Sequence, residues 1–182
     1  MSRAPSDLRQ RALAAALLIA TRDGAGALSL DAVAKEAEIS KGGLTHHFPS
    51  KDALVLALVE KLVFEFEGMV LARAAADKEP VGRFTRAFVE AMESPEIAGL
   101  GRALIAVVAL KSSLVEPLRQ SQQRCQKHME NDGIDPVTIV HCGLYADAVW
   151  FRAIFDFPPL PKAAVAAVRK SLMEATRVHA KP

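Results

Sequence analysis

Apolar residues recur every three to four positions along nearly the whole chain, which is the spacing of one face of an α-helix. No stretch alternates apolar and polar residues in the way that a half-buried strand does. Glycines, prolines and capping residues divide the pattern into helices at 6–23, 29–37, 40–48, 50–76, 81–92, 95–111, 113–131, 136–157 and 162–179. The predicted caps include Ser6, Ser29, Ser40, Ser50 and a capping box that begins at Ser113. On the first helix, one apolar face comprises Leu8, Ala12, Ala15, Ile19 and Ala20. The sequence therefore predicts an all-α fold of about nine helices.

Two short helices near the N-terminus are separated only by the tight turn Glu38-Ile39-Ser40. A helix, a short turn and a second helix form the helix-turn-helix unit, whose second helix enters the major groove of DNA. We therefore predict a helix-turn-helix DNA-binding domain at 1–52, which includes the first turn of the long helix that follows. A second helical domain is predicted at 53–182.

The second helix of this unit lies in the segment S-K-G-G-L-T-H-H-F-P-S-K, from Ser40 to Lys51. Gly42 and Gly43 each cost about 1 kcal/mol of helix stability relative to alanine. Such residues are useful where the backbone must lie very close to a large partner. Leu44 and Phe48 are four residues apart, so they share one face and can anchor the helix to a core.

The charge of the chain is only mildly basic, with a net charge of +2 and an isoelectric point of about 8.6. Residues 1–52 hold seven Lys and Arg against six Asp and Glu, seven minus six, for a net charge of +1. Lys41 and Lys51, however, fall in the first turns of helices, where the macrodipole disfavours a cation unless an anion is near. The case for DNA binding therefore depends on where the cations lie, because the total charge alone does not indicate it.

From Leu28 to Leu54 the chain reads L-S-L-D-A-V-A-K-E-A-E-I-S-K-G-G-L-T-H-H-F-P-S-K-D-A-L, which resembles the DNA-binding domain of the tetracycline-repressor (TetR) family. The core S-K-G-x-L-x-x-x-F-x-x-K is rather specific. Thr45 stands where the family usually has a tyrosine that contacts a phosphate. Glu38 occupies a turn position that is often glycine, which suggests a small conformational cost. The resemblance implies a transcriptional regulator, in most cases a repressor, that binds a palindromic double-stranded DNA operator as a homodimer and responds to a small-molecule effector.

The residue types predict distinct roles within the DNA-binding domain at 1–52, which we call the head. Ser29 and Lys51 are expected to contact phosphates, which position the protein without reading sequence. Gly42 and Gly43 are expected to permit close approach. Base readout would then fall to Lys41, Thr45 and His46, although His46 could also donate to a phosphate.

The resemblance implies two further features of the C-terminal half. Members of the family pair the last two helices of two subunits, and they bind their effectors in this half. The expected dimer interface comprises Leu144, Ala148, Phe151, Phe155, Val165, Val168 and Leu172. Residues that could line a cavity for a small, apolar effector are Phe84, Phe88, Met92, Leu104, Val108, Leu114, Leu118 and Trp150. An apolar helical stripe of this kind is more often simply core.

Other chemistry has little support. Cys125 and His128 on one helix, with His141 and Cys142 on the next, could form a metal or redox cluster, but the adjacent pair would point about 100° apart. The sequence contains no catalytic motif, and we expect no cofactor and no bound metal. A small helical enzyme, or a ligand-binding or interaction protein that does not bind DNA, is the alternative.

Composition indicates the cellular setting. No run approaches about 18 uninterrupted apolar residues, so no membrane span is expected. The N-terminal segment lacks the features of a signal peptide, and two cysteines are too few for a disulfide framework. A cytoplasmic protein is therefore expected.

Overall fold

The computed structural model describes residues 5–108 and 112–178. The α-helices within these residues are α1 (Pro5–Arg22), α2 (Leu30–Glu36), α3 (Lys41–His47), α4 (Lys51–Ala76), α5 (Arg83–Met92), α6 (Pro95–Val108), α7 (Val115–Glu130), α8 (Pro136–Ile154) and α9 (Lys162–Ala175). Short 3-10 turns lie at Ala25–Ala27 and Ser112–Leu114. The predicted all-α fold is confirmed.

Most helix boundaries agree with the predicted ones, and the exceptions have local causes. Helix α1 begins at Pro5, so Ser6 lies inside the helix and is not its N-cap. The capping box predicted from Ser113 is a 3-10 turn instead, and α7 begins only at Val115. Helix α8 ends at Ile154, three residues earlier than predicted, because Asp156 adopts a positive φ of 50°. Helix α9 ends at Ala175, four residues earlier than predicted, with Thr176 as its C-cap. The end predicted for the sixth helix, at 111, lies outside the described residues.

The chain divides into two compact units, and the division falls inside helices. One unit comprises Met1–Val63 with Arg102–Leu118, and the other comprises Phe64–Gly101 with Arg119–Pro182. Helices α4, α6 and α7 each contribute to both units, and neither unit is a continuous segment of chain. The boundary predicted after residue 52 remains a prediction.

In the first unit, α1, α2 and α3 pack against one another around a small apolar core. The predicted inner face of α1 is confirmed at four of its five positions, since Ala12, Ala15, Ile19 and Ala20 are buried while Leu8 is half-buried. The side chains of Leu13, Leu28, Val33, Leu44 and Phe48 are almost completely buried. This core fixes α3 to the rest of the head by its apolar face.

In the second unit, α5 packs against α8 and supplies most of its own surface to the core. Gly101 of α6 allows another close contact in this unit, because a Cβ there would lie 2.8 Å from the Ile154 Cδ1 and Trp150 Nε1 atoms. The face of α8 that enters the core comprises Cys142, Ala146 and Ile154. The sequence pattern did not single out this face.

A buried arginine organises the loop between α4 and α5. The Arg86 guanidinium donates to Asp77 Oδ2 at 2.7 Å and to the carbonyl oxygens of Glu79 at 2.8 Å and Val81 at 2.7 Å. It also donates to the carbonyl and hydroxyl oxygens of Thr176, each at 3.2 Å. The same end of α9 excludes any side chain at Gly82, because a Cβ there would lie 2.0 Å from the Thr176 carbonyl oxygen. The loop and the end of α9 are thereby held together.

Candidate nucleic-acid interface

Three serines cap the helices of the head and the start of the long helix. Ser29 Oγ accepts from Ala32 N, Ser40 Oγ from Gly43 N and Ser50 Oγ from Ala53 N, each at 3.1 Å. All three were predicted as caps or as cap-position residues, and the cap geometry is confirmed. Ser29 is exposed, and because its oxygen only accepts in the cap, its hydroxyl hydrogen is still able to reach a phosphate.

Helix α3 buries the two predicted anchors and presents polar groups on its other sides. Leu44 and Phe48 are buried, whereas Lys41 and His46 are exposed and Thr45 is half-buried. Phe48 has the extended backbone typical of a residue before proline, which ends the helix. The helix is therefore held by one face and is open to a partner on the opposite one.

The Thr45 hydroxyl donates within its own helix, to the carbonyl oxygens of Lys41 at 3.0 Å and Gly42 at 3.1 Å. Its hydrogen is shared between two backbone acceptors, while the oxygen lone pairs and the methyl group are not used. Thr45 can therefore accept from a base edge or pack on a thymine methyl without breaking the helix.

The two glycines of α3 lie in different surroundings. A Cβ on Gly42 would meet nothing within 4 Å, so its Cα surface faces open space. A Cβ on Gly43 would lie 3.1 Å from Ser40 Oγ and 3.6 Å from Leu8 Cδ1. Gly42 thus fits the expected role of permitting close approach, whereas Gly43 leans toward its own cap and α1.

Several cations of the head are already occupied. Arg22 pairs with Asp23 at 2.8 Å and with Glu36 at 3.1 Å, and these carboxylates raise the pKa of its guanidinium well above the usual value. Arg11 donates to the carbonyl oxygens of Ala37 and Glu38 and so fixes the turn between α2 and α3. These arginines support the fold of the head.

Two other cations remain at the surface. The Arg9 guanidinium lies over the Phe48 ring, 5.7 Å from its centroid, and the residue is exposed. Lys51 is exposed in the first turn of α4, and within the described residues its side chain has no hydrogen bond or ion pair. The role of Lys51 as a phosphate contact stays a prediction.

Lys41 is different, because its ammonium lies 2.8 Å from the Asp31 carboxylate. The anion that a lysine in a first helical turn calls for is thus supplied by the protein itself. Sequence reasoning missed this contact because the two residues are ten positions apart and on different helices. The signal available was the acidic residue in the first turn of α2.

The residues expected to line an effector cavity are distributed over both units. Phe84, Phe88 and Met92 are buried in the core of the second unit, and Trp150 is half-buried against it. In the first unit, Leu114 is buried, while the half-buried positions are Leu104, Val108 and Leu118. Which of them contact a ligand remains a prediction.

The second unit has an open concavity of about 470 Å³ between α7 and α8, with Phe88 and Met129 at its apolar side. Its remaining lining residues are Gln122, Gln126, Glu130, Pro136, Ile139, Val140, Gly143 and Asp147. Partial burial raises the pKa of the Asp147 carboxyl. Of the predicted cavity residues, Phe88 is the one that lies on this concavity.

The cysteines and histidines considered as a metal or redox cluster are placed as structural residues. Cys125 and Cys142 are buried, and this burial raises the pKa of each thiol to about 11, so both are protonated and unreactive at neutral pH. His128 stacks on Phe84 with ring centroids 4.6 Å apart. Within the described residues no group of three or more His, Cys, Asp or Glu could hold a metal ion.

The last two helices expose much of the predicted dimer interface. Leu144 is 64% exposed, Phe151 48% and Val168 50%, and Ala148 and Phe155 are exposed as well. Val165 and Leu172 are half-buried. Phe151 and Phe155 contact each other with centroids 4.7 Å apart, so part of this surface is an aromatic cluster.

Comparison with known proteins identifies the family. Residues 12–58 match the model of the bacterial regulatory proteins of the tetR family, and residues 82–177 match the model of a tetracyclin repressor-like C-terminal domain. No significant match is found among curated proteins.

Solved structures of the same fold include a member of the TetR family from Streptomyces coelicolor A3 (TM-score 0.69, 20% identity, covering 92% of this chain and 97% of that one). A transcriptional regulator from Rhodococcus sp. Rha1 has a TM-score of 0.65 and 22% identity, covering 92% of this chain and 93% of the other. The multidrug binding protein EbrR, complexed with malachite green, has a TM-score of 0.69 and 20% identity, covering 92% and 96%. The two family models together span most of the chain, which therefore belongs to the TetR family and is a DNA-binding transcriptional regulator, not an enzyme.

Proposed function

We propose that this regulator is a repressor that binds a palindromic operator as a homodimer and is released when a small molecule binds its C-terminal half. The observation that carries the proposal is the geometry of α3, which is anchored by Leu44 and Phe48 and open on the opposite side at Lys41, Gly42 and His46. A helix held in this way can lie in a major groove with its side chains on the base edges.

Phosphate and base contacts are divided between two sets of residues in this proposal. Ser29 and Lys51 stand at the starts of α2 and α4, where helix N-termini favour anions, and they would position the head on the backbone. Lys41, Thr45 and His46 would read bases, while Gly42 permits the close approach. Gly43 would support this arrangement from the inner side of the helix.

The exposed apolar side of α8 and α9 supports a homodimer. Leu144, Ala148, Phe151 and Phe155 follow one another at spacings of three and four residues, which forms a continuous stripe on α8. A contiguous apolar surface of this kind is typical of an interface. A symmetric pair of these helices would form a four-helix bundle around a two-fold axis, which matches a palindromic operator.

Helix α8 is also long and apolar enough to cross a membrane, by length and composition alone. Counting uninterrupted apolar residues missed this because polar residues such as His141, Asp147 and Arg152 interrupt the run. We propose a dimer interface instead of a span, since the exposed apolar residues form one stripe and the helix lies within the matched family domain. A cytoplasmic location, where the operator lies, follows from this proposal.

An effector site in the second unit is supported by the concavity between α7 and α8, whose volume of about 470 Å³ suits a drug-sized molecule. EbrR, a multidrug binding protein of similar fold, forms a complex with malachite green, which supports a small-molecule site in this architecture. By linkage, an effector that releases DNA must bind the DNA-free protein more tightly than the DNA complex by the same factor.

Selection of DNA from a random pool tests the proposed function most directly. We expect enrichment of an inverted repeat, and loss of that enrichment when Lys41, Thr45 and His46 are replaced together by alanine. Lys35, an exposed lysine in the last turn of α2, provides the control. Lys35→Ala should leave the enriched sequence unchanged. A folded wild-type protein that enriches no sequence would contradict the proposal.

A further inference from the structure

Asp31 and Lys41 form an ion pair at the surface of the head. The carboxylate Oδ1 and the ammonium Nζ are 2.8 Å apart, and the two side chains are 73% and 65% exposed. Asp31 lies in the first turn of α2, and Lys41 is the first residue of α3. An exposed pair of this kind adds little to stability, because water and salt screen it. The pair therefore matters through its effect on the DNA that approaches the head.

The partner of this surface is a polyanion. The carboxylate 2.8 Å from the Lys41 ammonium engages one of its three donors and offsets its positive charge. A phosphate that approaches Lys41 must therefore compete with Asp31 and is repelled by its negative charge. Base edges in the major groove are different, because guanine offers the neutral acceptors O6 and N7 to a lysine.

We propose that Asp31 is a specificity-determining residue of the DNA-binding head, which lowers the affinity for random DNA by neutralising Lys41. On random duplex Lys41 stays paired with Asp31 and contributes no phosphate contact. On the operator Lys41 turns to a base edge. This inference rests on the proposed readout by α3, and it adds a role for a residue that reads no base itself.

The test measures the dependence of DNA affinity on salt, because each phosphate contact made by a cation steepens the slope of log K against log salt by about 0.9. Asp31→Asn should steepen the slope on a random duplex by about 0.9 for each head engaged. Over a fourfold rise in salt this is an additional loss of about 3.5-fold per head. Affinity for the selected operator should rise less, so the ratio of operator to random affinity falls.

Two further proteins make the result specific to this pair. Asp31→Asn combined with Lys41→Met removes both charges and should return the random-duplex slope to the wild-type value. Glu36→Gln removes the same charge from the same helix while leaving Arg22 paired with Asp23, and its slope should equal that of the wild type. Circular dichroism and the melting temperature of each protein establish that the head is folded.

Each contrary outcome overturns the inference. An unchanged slope for Asp31→Asn shows that Lys41 is not released. A double variant with a slope shallower than wild type shows that Lys41 already contacts phosphates on random DNA. A proportional loss on both DNAs with a lower melting temperature shows that Asp31 merely supports α2. Failure to select any operator would overturn the proposed function, whereas intact operator binding with an unchanged slope overturns only the role of Asp31.

Discussion

Glu38 adopts a left-handed backbone conformation, with a φ of 52°, in the turn between α2 and α3. A residue with a Cβ pays roughly 1–2 kcal/mol for this conformation, whereas glycine adopts it freely. We expect Glu38→Gly to raise the free energy of unfolding by about 0.5–1 kcal/mol, since greater freedom of the unfolded chain offsets part of the gain. Thermal or urea unfolding measures the change.

Glu38→Ala is the matched control, because it removes the carboxylate but keeps the Cβ. The Arg11 guanidinium contacts the Glu38 carbonyl oxygen, which both variants retain. An alanine variant as stable as the glycine variant would show that the side chain, and not the backbone, is the source of the cost.

Gly42 and Gly43 are expected to respond differently to the same substitution. Gly42→Leu places its side chain in open space and removes a poor helix former, so stability should stay equal or rise by up to about 1 kcal/mol while operator and random DNA binding are both lost. Gly43→Leu should instead lower the melting temperature, because the side chain would crowd the Ser40 cap and Leu8.

Unfolding curves and binding isotherms on both variants separate the two effects. Normal operator binding by a folded Gly42→Leu protein would show that this side of α3 does not face DNA. A Gly43→Leu protein as stable as wild type would show that α1 yields to the larger side chain.

At the scale of single residues, the sequence predicts the contacts that form between neighbours along the chain. The caps at Ser29, Ser40 and Ser50 are found because a capping side chain bonds to a backbone group only three residues away. The Asp31–Lys41 pair was not predicted, since it depends on the angle between two helices.

At the scale of elements, the loop after α4 is held by charge. Asp77 accepts from the Arg86 guanidinium at 2.7 Å, and this hydrogen bond lowers the pKa of the Asp77 carboxyl. A carboxyl whose folded pKa lies below the unfolded value, about 3.9, contributes stability above that pH and loses it as the pH falls through the folded pKa. Part of the stability of the wild type should therefore disappear below about pH 4.

We expect Asp77→Asn to be less stable than the wild type near pH 7 and to lose less stability on acidification. Urea unfolding at several pH values between about 3 and 7 measures both effects. Glu174→Gln, which alters an exposed carboxylate on α9, should retain the wild-type dependence of the free energy of unfolding on pH. Parallel curves for Asp77→Asn and the wild type would rule out a contribution of Asp77 to acid sensitivity.

Helix positions were predictable because amphipathic spacing and caps are written into single segments. The core-facing side of α8 was not predicted. The side chains that enter the core, such as Cys142 and Ala146, are small or weakly apolar, while the larger Leu144 and Phe151 point outward. A sequence pattern measures hydrophobicity, but only packing within the fold decides which apolar face is covered by the same chain.

At the scale of the whole molecule, the apolar surface that the chain leaves uncovered is the strongest argument for assembly. A single chain leaves Phe151 48% exposed and Val168 50% exposed. The opposite side of α8 packs into the core, whereas α9 has no buried residue and only its partly buried Leu172 and Met173 contact that core. Exposed aromatic and aliphatic residues in one stripe gain free energy when a second copy covers them. The predicted effector residues show no comparable exposed apolar surface, because Phe84, Phe88 and Met92 are buried in the core.

We therefore expect the wild type to sediment as a dimer and Phe151→Arg or Val168→Arg to give monomers or aggregates. Each dimer would bury two unpaired guanidinium groups, which costs several kcal/mol and should raise the dimer Kd more than about a hundredfold. Phe64→Arg is the control, because Phe64 is 76% exposed on α4, outside the proposed interface, and receives the same chemical change. Sedimentation velocity over a range of protein concentrations measures the equilibrium. Dimers that survive both interface substitutions but not Phe64→Arg would move the interface from α8 and α9 to α4.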